Sequence, residues 1–136
     1  MSALLRTLRV ASHPDIAVQV LPLGLACCAV EVDAAVEQGL LVPESPLDGP
    51  SATAVLVVAG TVTTPLAGLL EAAWAADPPP TAVMAFGACA STGGPYWDSP
   101  TVVNGADQVV SVHRYVPGCP PRPEDLVAAL LEMANA

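Results

Sequence analysis

The chain has no lysine, and all of its positive charge rests on Arg6, Arg9, Arg114 and Arg122. Against 13 acidic residues these leave a net charge of −9. Phosphate backbones are bound by clustered cations, so this balance excludes nucleic acid as a partner. It also excludes docking on anionic lipid by charge alone. Long apolar runs are missing as well. The longest uncharged stretches, Ile16–Val30 and Ser51–Leu70, are broken by proline, glycine or threonine. Neither supplies the ~20 continuous apolar residues of a membrane span. The opening MSALLRTLRVASHP lacks the extended apolar region of a secretory signal and reads as a short amphipathic helix or arm over residues 1–14.

Charge of either sign is scarce, at 12%, while hydrophobic residues make up 53% and the mean hydropathy is +0.56. A chain of 136 residues is long enough for one domain with a single core. Its surface would normally carry more charge than this, so the apolar excess points to burial against a partner protein.

What is abundant is valine, gathered in short runs. Ile16–Leu21 (IAVQVL), Thr53–Ala59 (TAVLVVA) and Thr81–Phe86 (TAVMAF) read as strands, with a shorter fourth at Gln108–Val112 (QVVSV). Near-continuous apolar runs of this length are the pattern of parallel strands covered on both faces. Helices are predicted between and after them. One spans Ala29–Gln38, ended by Gly39. Another spans Pro65–Ala76, stopped by Asp77–Pro80. The last, Arg122–Asn135, carries Pro123, Glu124 and Asp125 in its first turn. The alternation implies an α/β domain over 1–136 with a mainly parallel four-stranded sheet. Residues 41–50 and 91–107 fall outside it as loops, and a long loop inside a compact domain is usually functional.

Only four cysteines are present, and two of them, Cys27 and Cys28, are adjacent. Adjacent Cα atoms sit ~3.8 Å apart, closer than the usual span of a disulfide. Cys89 and Cys119 each stand just past a predicted strand, as the adjacent pair does. The carboxyl edge of an open α/β sheet is where ligands bind, so the fold would gather thiols separated by 60 and 29 residues. Gly24, Gly87 and Gly118–Pro120 lie beside them and would let backbone amides approach a bulky inorganic group. Four readings compete: buried structural cysteines, two disulfides, a Cys₄ zinc site and a [4Fe–4S] cluster. Disulfides lack a visible export signal. Zinc ribbons use paired CxxC knuckles, which this spacing is not. A [4Fe–4S] cluster fits better, because each of its four irons needs one thiolate and its corners can come from separate loops.

The segments CCAVE (Cys27–Glu31), GTVT (Gly60–Thr63), GACASTGG (Gly87–Gly94) and YVPGCPPRPEDL (Tyr115–Leu126) resemble those of a known family. It is the small iron–sulfur (20 kDa, or B) subunit of respiratory complex I, related to the small subunits of [NiFe] hydrogenases. The likeness runs from about Leu21 to Leu131. It implies a flavodoxin-like fold with helices on both faces of the sheet. It also implies one [4Fe–4S] cluster ligated by Cys27, Cys28, Cys89 and Cys119, and electron transfer from that cluster to quinone. The cavity would be shared with a larger hydrogenase-derived (49 kDa-like) subunit. The resemblance places the chain in the cytoplasm, peripheral on the inner face of the cell membrane through partner subunits. Glu31 matches an acidic residue close to the cluster, a candidate catalytic proton partner for electron arrival; the alternative is a plain acid of the first helical turn.

The chain departs from the family where positive charge is common. Glu37–Thr53 is short, proline-rich and acidic, Thr64–Pro65 follows GTVT in place of a basic residue, and Thr81 stands where lysine is common. Outside the resemblance, no nicotinamide fingerprint or P-loop is present. His13 and His113 are the only histidines. His113 reads as a satisfied surface residue or a contact to a partner, and Tyr96 and Trp97 as a cover over the cluster or a partner contact. Two rival functions remain: the small subunit of a membrane-bound [NiFe] hydrogenase-type complex, and a non-redox metal-binding or assembly module.

Overall fold

The computed structural model describes residues 6–22, 27–43, 53–59, 64–75, 80–87, 90, 105–116 and 122–134. These form six strands: β1 (Arg6–Val10), β2 (His13–Pro22), β3 (Leu41–Pro43), β4 (Thr53–Ala59), β5 (Ala82–Phe86) and β6 (Arg114–Val116). They also form three α-helices: α1 (Cys27–Glu37), α2 (Thr64–Trp74) and α3 (Pro123–Ala134). A 3₁₀ turn covers Ala106–Gln108.

All six strands belong to one sheet in the order β3-β1-β2-β4-β5-β6. The pairs β2–β4, β4–β5 and β5–β6 are parallel, whereas β1 is antiparallel to both β2 and β3. The valine runs are buried on both faces, as their composition predicts. In β4, Val55, Val57 and Ala59 enter one core layer and Leu56 and Val58 the other, all with no exposed surface. The first layer packs against α1 and α3 through Val32, Ala35, Leu126, Ala129 and Leu130. The second packs against α2 through Leu70 and Ala73. Helices therefore cover both faces, as expected.

Three expectations need correction. First, the sheet has six strands, not four. Residues 6–10, expected within an N-terminal helix or arm, form β1, which turns at Ala11–Ser12 and pairs with β2 from Arg6↔Val20 onwards. The reason is period-two patterning: Leu8 and Val10 enter the core layer beside α1, and Arg9 lies on the opposite side of the strand. Second, the expected loop 41–50 opens with β3, whose Leu41 is fully buried against β1; residues 44–50 lie outside the described residues. Third, Gln108–Val112 is not a strand. Val110 is buried in the α2-side layer and Val109 and Val112 pack against it, but the chain enters the sheet only at Arg114. Of the expected loop 91–107, Gly105 and the start of the 3₁₀ turn are seen, and 91–104 lie outside the described residues.

Helix ends follow their local chemistry. After α1, Gly39 adopts φ +77°, Leu40 N–H donates to Ala35 O (2.9 Å) and Gly39 N–H to Val36 O (3.1 Å). This double bond pattern satisfies the last carbonyls of the helix and needs a residue free to take positive φ. At the start of α3, Pro123 takes the first helical position, and Asp125 Oδ2 accepts the Arg122 backbone N–H at 3.0 Å. The side chain thereby satisfies one of the donors a helix start leaves open.

Candidate functional site at the carboxyl edge of the sheet

Because β3 and β2 are both antiparallel to β1, they run parallel to each other. Without β1, the parallel strands lie in the order second, first, third, fourth, fifth along the chain, which is the doubly wound flavodoxin-like order. The chain leaves β2 towards β3 on one side, and the later strands build outwards on the other. Right-handed crossovers in opposite directions put their helices on opposite faces, where α1 and α2 are found. The direction reverses between β2 and β4, and a ligand crevice forms outside the strand ends at such a point.

The carboxyl ends meet in one register row: Pro22 pairs with Ala59, Ala59 with Phe86, and Phe86 with Val116. Each segment that leaves this row towards a cysteine starts from a fixed point. The chain from Pro22 reaches α1, whose first two residues are Cys27 and Cys28. A helix N-terminus, with unpaired N–H groups and the positive end of the dipole, favours the anionic thiolate, the form that ligates metal. From Phe86 the chain passes Gly87, which is buried at φ +92° and whose N–H donates to Val116 O at 2.8 Å. That bond fastens the end of β5 to the end of β6. Cys89 stands three residues beyond Phe86 and Cys119 three beyond Val116.

On backbone alone, the adjacent pair opens α1, five residues after Pro22 at the end of β2. Cys89, Cys119, Gly60–Thr63, Tyr96 and Trp97 lie outside the described residues. Among the described residues no group of three or more His, Cys, Asp or Glu side chains could hold a metal ion; the side chains of all four expected ligands fall outside that set. Glu31 is half-buried on α1, four residues after Cys27 and three after Cys28, the spacings that share one side of a helix.

His113 was legible only as a strand-end histidine. In the structure its Nδ1 accepts the Val83 backbone N–H at 3.0 Å, and its own N–H donates to Val83 O at 2.9 Å. Nothing in the sequence marks this pairing across 30 residues. Tyr115, 44% exposed on β6, donates its phenol O–H to Asp107 Oδ2 at 3.2 Å. Shielding from water, then the Asp107 hydrogen bond and charge, push the phenol above the ordinary tyrosine value. Arg114, on the other face of β6, is 2.7 Å from Glu132 of α3.

No helix among the described residues is long and apolar enough to cross a membrane. Residues 12–133 match the family described as NADH ubiquinone oxidoreductase, 20 Kd subunit. The B 2 subunit of the NADH-quinone oxidoreductase of Streptomyces griseus is 44% identical over 81% of this chain and 48% of its own length. The B 1 subunit of the same kind of oxidoreductase from Salinispora tropica is 43% identical over 81% of this chain and 61% of its own. The chain therefore spans about half to three fifths of the length of these relatives. Among solved structures, a chain of the membrane-bound sulfane sulfur reductase, an archaeal respiratory membrane complex, superposes with TM-score 0.66. It covers 85% of this chain and 67% of that one at 23% identity, a likeness of fold. A family match over nearly the whole sequence and relatives above two-fifths identity together lead to one conclusion: the chain belongs to the NADH ubiquinone oxidoreductase 20 Kd subunit family.

Proposed function

We propose that the chain is the cluster-bearing electron-transfer subunit of a complex I-like NADH:quinone oxidoreductase. It would hold one [4Fe–4S] cluster on Cys27, Cys28, Cys89 and Cys119 and pass electrons towards quinone. The observation that carries this reading is the aligned row Pro22–Ala59–Phe86–Val116, from which the segments bearing all four cysteines depart. The donor chemistry fits: four thiols, one per iron, with two of them at a helix N-terminus that favours their anionic form. Such a cluster supplies one-electron transfer, at a potential set by hydrogen bonds to sulfur and by burial.

The chain's own residues do the rest. Backbone N–H groups of the first turn of α1 offset the negative charge of the thiolates. The Gly87–Val116 bond fixes the spacing of the two strands that lead to Cys89 and Cys119. Glu31 would hold a proton on its carboxylate when an electron arrives nearby, so that the site gains no uncompensated charge. Quinone would bind in a cavity completed by a larger hydrogenase-derived subunit. The chain would sit peripherally on the inner face of the cell membrane through its partners, matching its apolar composition and absence of lysine.

Anaerobic purification or reconstitution with iron and sulfide, followed by EPR of the reduced protein, tests the proposal. The expected result is a reducible [4Fe–4S] signal that Cys119→Ser abolishes. A wild-type signal in that variant would overturn the ligand set. A chain that never yields a reducible cluster would be a non-redox module instead. A co-purified large subunit with two CxxC pairs for nickel would place it in a hydrogenase-type complex.

A further inference from the structure

We infer that His113 is a positioning residue for the Cys119 arm: its imidazole stands in for a missing strand residue and fixes the short β6 from which that arm departs. The inference rests on the proposed function for what Cys119 holds, but its structural half stands without it.

In a parallel ladder, the N–H and C=O of one residue both point to the same neighbouring strand. Val83 O accepts the His113 N–H at 2.9 Å, so the Val83 N–H also faces the β6 side. In the register of β5 and β6 Val83 stands opposite His113, so a regular ladder would pair that N–H with the carbonyl one residue earlier, at Val112. The chain there has not yet entered the sheet, and β6 begins only at Arg114. The vacancy is filled by the side chain, since His113 Nδ1 accepts the Val83 N–H at 3.0 Å. Val83 has no exposed surface, so without the imidazole a buried donor would be left unpaired. Trp74 of α2 flanks the ring, with centroids 6.1 Å apart and planes tilted by 46°.

The Arg114–Glu132 ion pair, the Tyr115–Asp107 hydrogen bond and the buried Val116 also hold β6, but none of them pairs the Val83 N–H. The strand is three residues long and, among the described residues, lies at the sheet edge and pairs with β5 alone. His113 secures its start with two bonds to Val83, and Gly87 N–H secures its end through Val116 O at 2.8 Å. Three residues after Val116 comes Cys119. Loss of the first anchor lets β6 shift along β5 and carries the arm with it.

Three variants separate this role from simple stability: His113→Ala removes the acceptor, His113→Asn restores an acceptor close to the Nδ1 position, and Val112→Ala perturbs the same segment without touching the bond. Hydrogen exchange on the chain without added iron reads the clamp directly. In His113→Ala, protection at Val83 and at 114–116 is expected to fall by roughly tenfold or more, the factor set by one unpaired buried donor. His113→Asn is expected to recover most of it, and Val112→Ala to keep it. After anaerobic reconstitution, iron and sulfide per chain and the EPR line shape are expected to change in His113→Ala and to return towards wild type in His113→Asn.

Unchanged protection at Val83 in His113→Ala would overturn the clamp. Lost protection with unchanged cluster content and line shape would overturn its link to Cys119. Failure of wild-type protein to take up any cluster would refute the proposed function, while the exchange data would still decide the clamp.

Discussion

Replacing Phe86 with alanine tests how the carboxyl edge of the sheet is built. Phe86 is the only phenylalanine in the chain, has no exposed surface and is the last residue of β5. It sits in the core layer that α1 and α3 cover, and it pairs with Ala59 on one side and Val116 on the other. A buried phenylalanine cut to alanine costs about 3–5 kcal/mol, from lost transfer energy plus the cavity left behind. The low end applies if α1 or α3 moves in to fill the space. With a urea m-value of roughly 2 kcal/mol/M for a domain of this size, the unfolding midpoint is expected to drop by about 1.5–2.5 M. Circular dichroism against urea measures it, with m unchanged. Val42→Ala is the control: Val42 is 39% exposed on β3, and its truncation is expected to cost no more than about 0.5 kcal/mol. A Phe86→Ala midpoint within about 0.3 M of wild type would show that the ring does not fill this core. The alignment of strand ends above it would then lose its physical support.

Asp125→Ala removes the acceptor for the Arg122 N–H at the start of α3 and is expected to cost about 0.5–1 kcal/mol, read as a fall in Tm; Asp125→Asn is expected to retain most of it. For Asp107→Asn the expected result is a lower titration midpoint for the Tyr115 phenol, followed by absorbance at 295 nm with Tyr115→Phe identifying its share of the signal. The sign follows from the raised folded-state value: the neutral phenol is favoured in the fold, so its contribution is present below the ordinary tyrosine value of ~10 and is lost as pH rises through the folded one.

Where a segment's own letters determine its neighbours, the sequence was readable. β4 was found with the same bounds, and β2 and β5 within a few residues, because their valine runs are buried on both faces. Gly39 ended α1 as expected, because few other residues accept φ +77° at that position. The errors arose where long-range pairing decides. RTLRV holds a period-two pattern, but only five residues long, and it becomes a strand because β2 and β3 flank it. QVVSV has strand composition, yet its valines are used to fill the layer beside α2. β6 hides in the polar HRYV because an edge strand exposes its side chains, and Arg114 and Tyr115 are both exposed. In the candidate site, the adjacent cysteines were legible as a pair just past β2, Cys89 and Cys119 lie outside the described residues, and the His113 clamp was not legible, since a side chain replacing a ladder carbonyl leaves no local pattern.

The position of β1 explains how the sheet can grow without disturbing the candidate site. An antiparallel strand inserted between β2 and β4 would separate Pro22 from Ala59 and remove the crevice where the winding reverses. Inserted between β2 and β3, it only moves β3 outwards, and its hairpin turn at Ala11–Ser12 returns the chain directly into β2. Leu8, Val10 and Leu41 then extend the core layer beneath α1, the helix that opens with Cys27 and Cys28. The antiparallel half therefore supports the base of that helix, and the parallel half supplies the strand ends. A change in β1 acts on the site through the seating of α1, whereas a change in β5 or β6 acts through the segments that lead to Cys89 and Cys119.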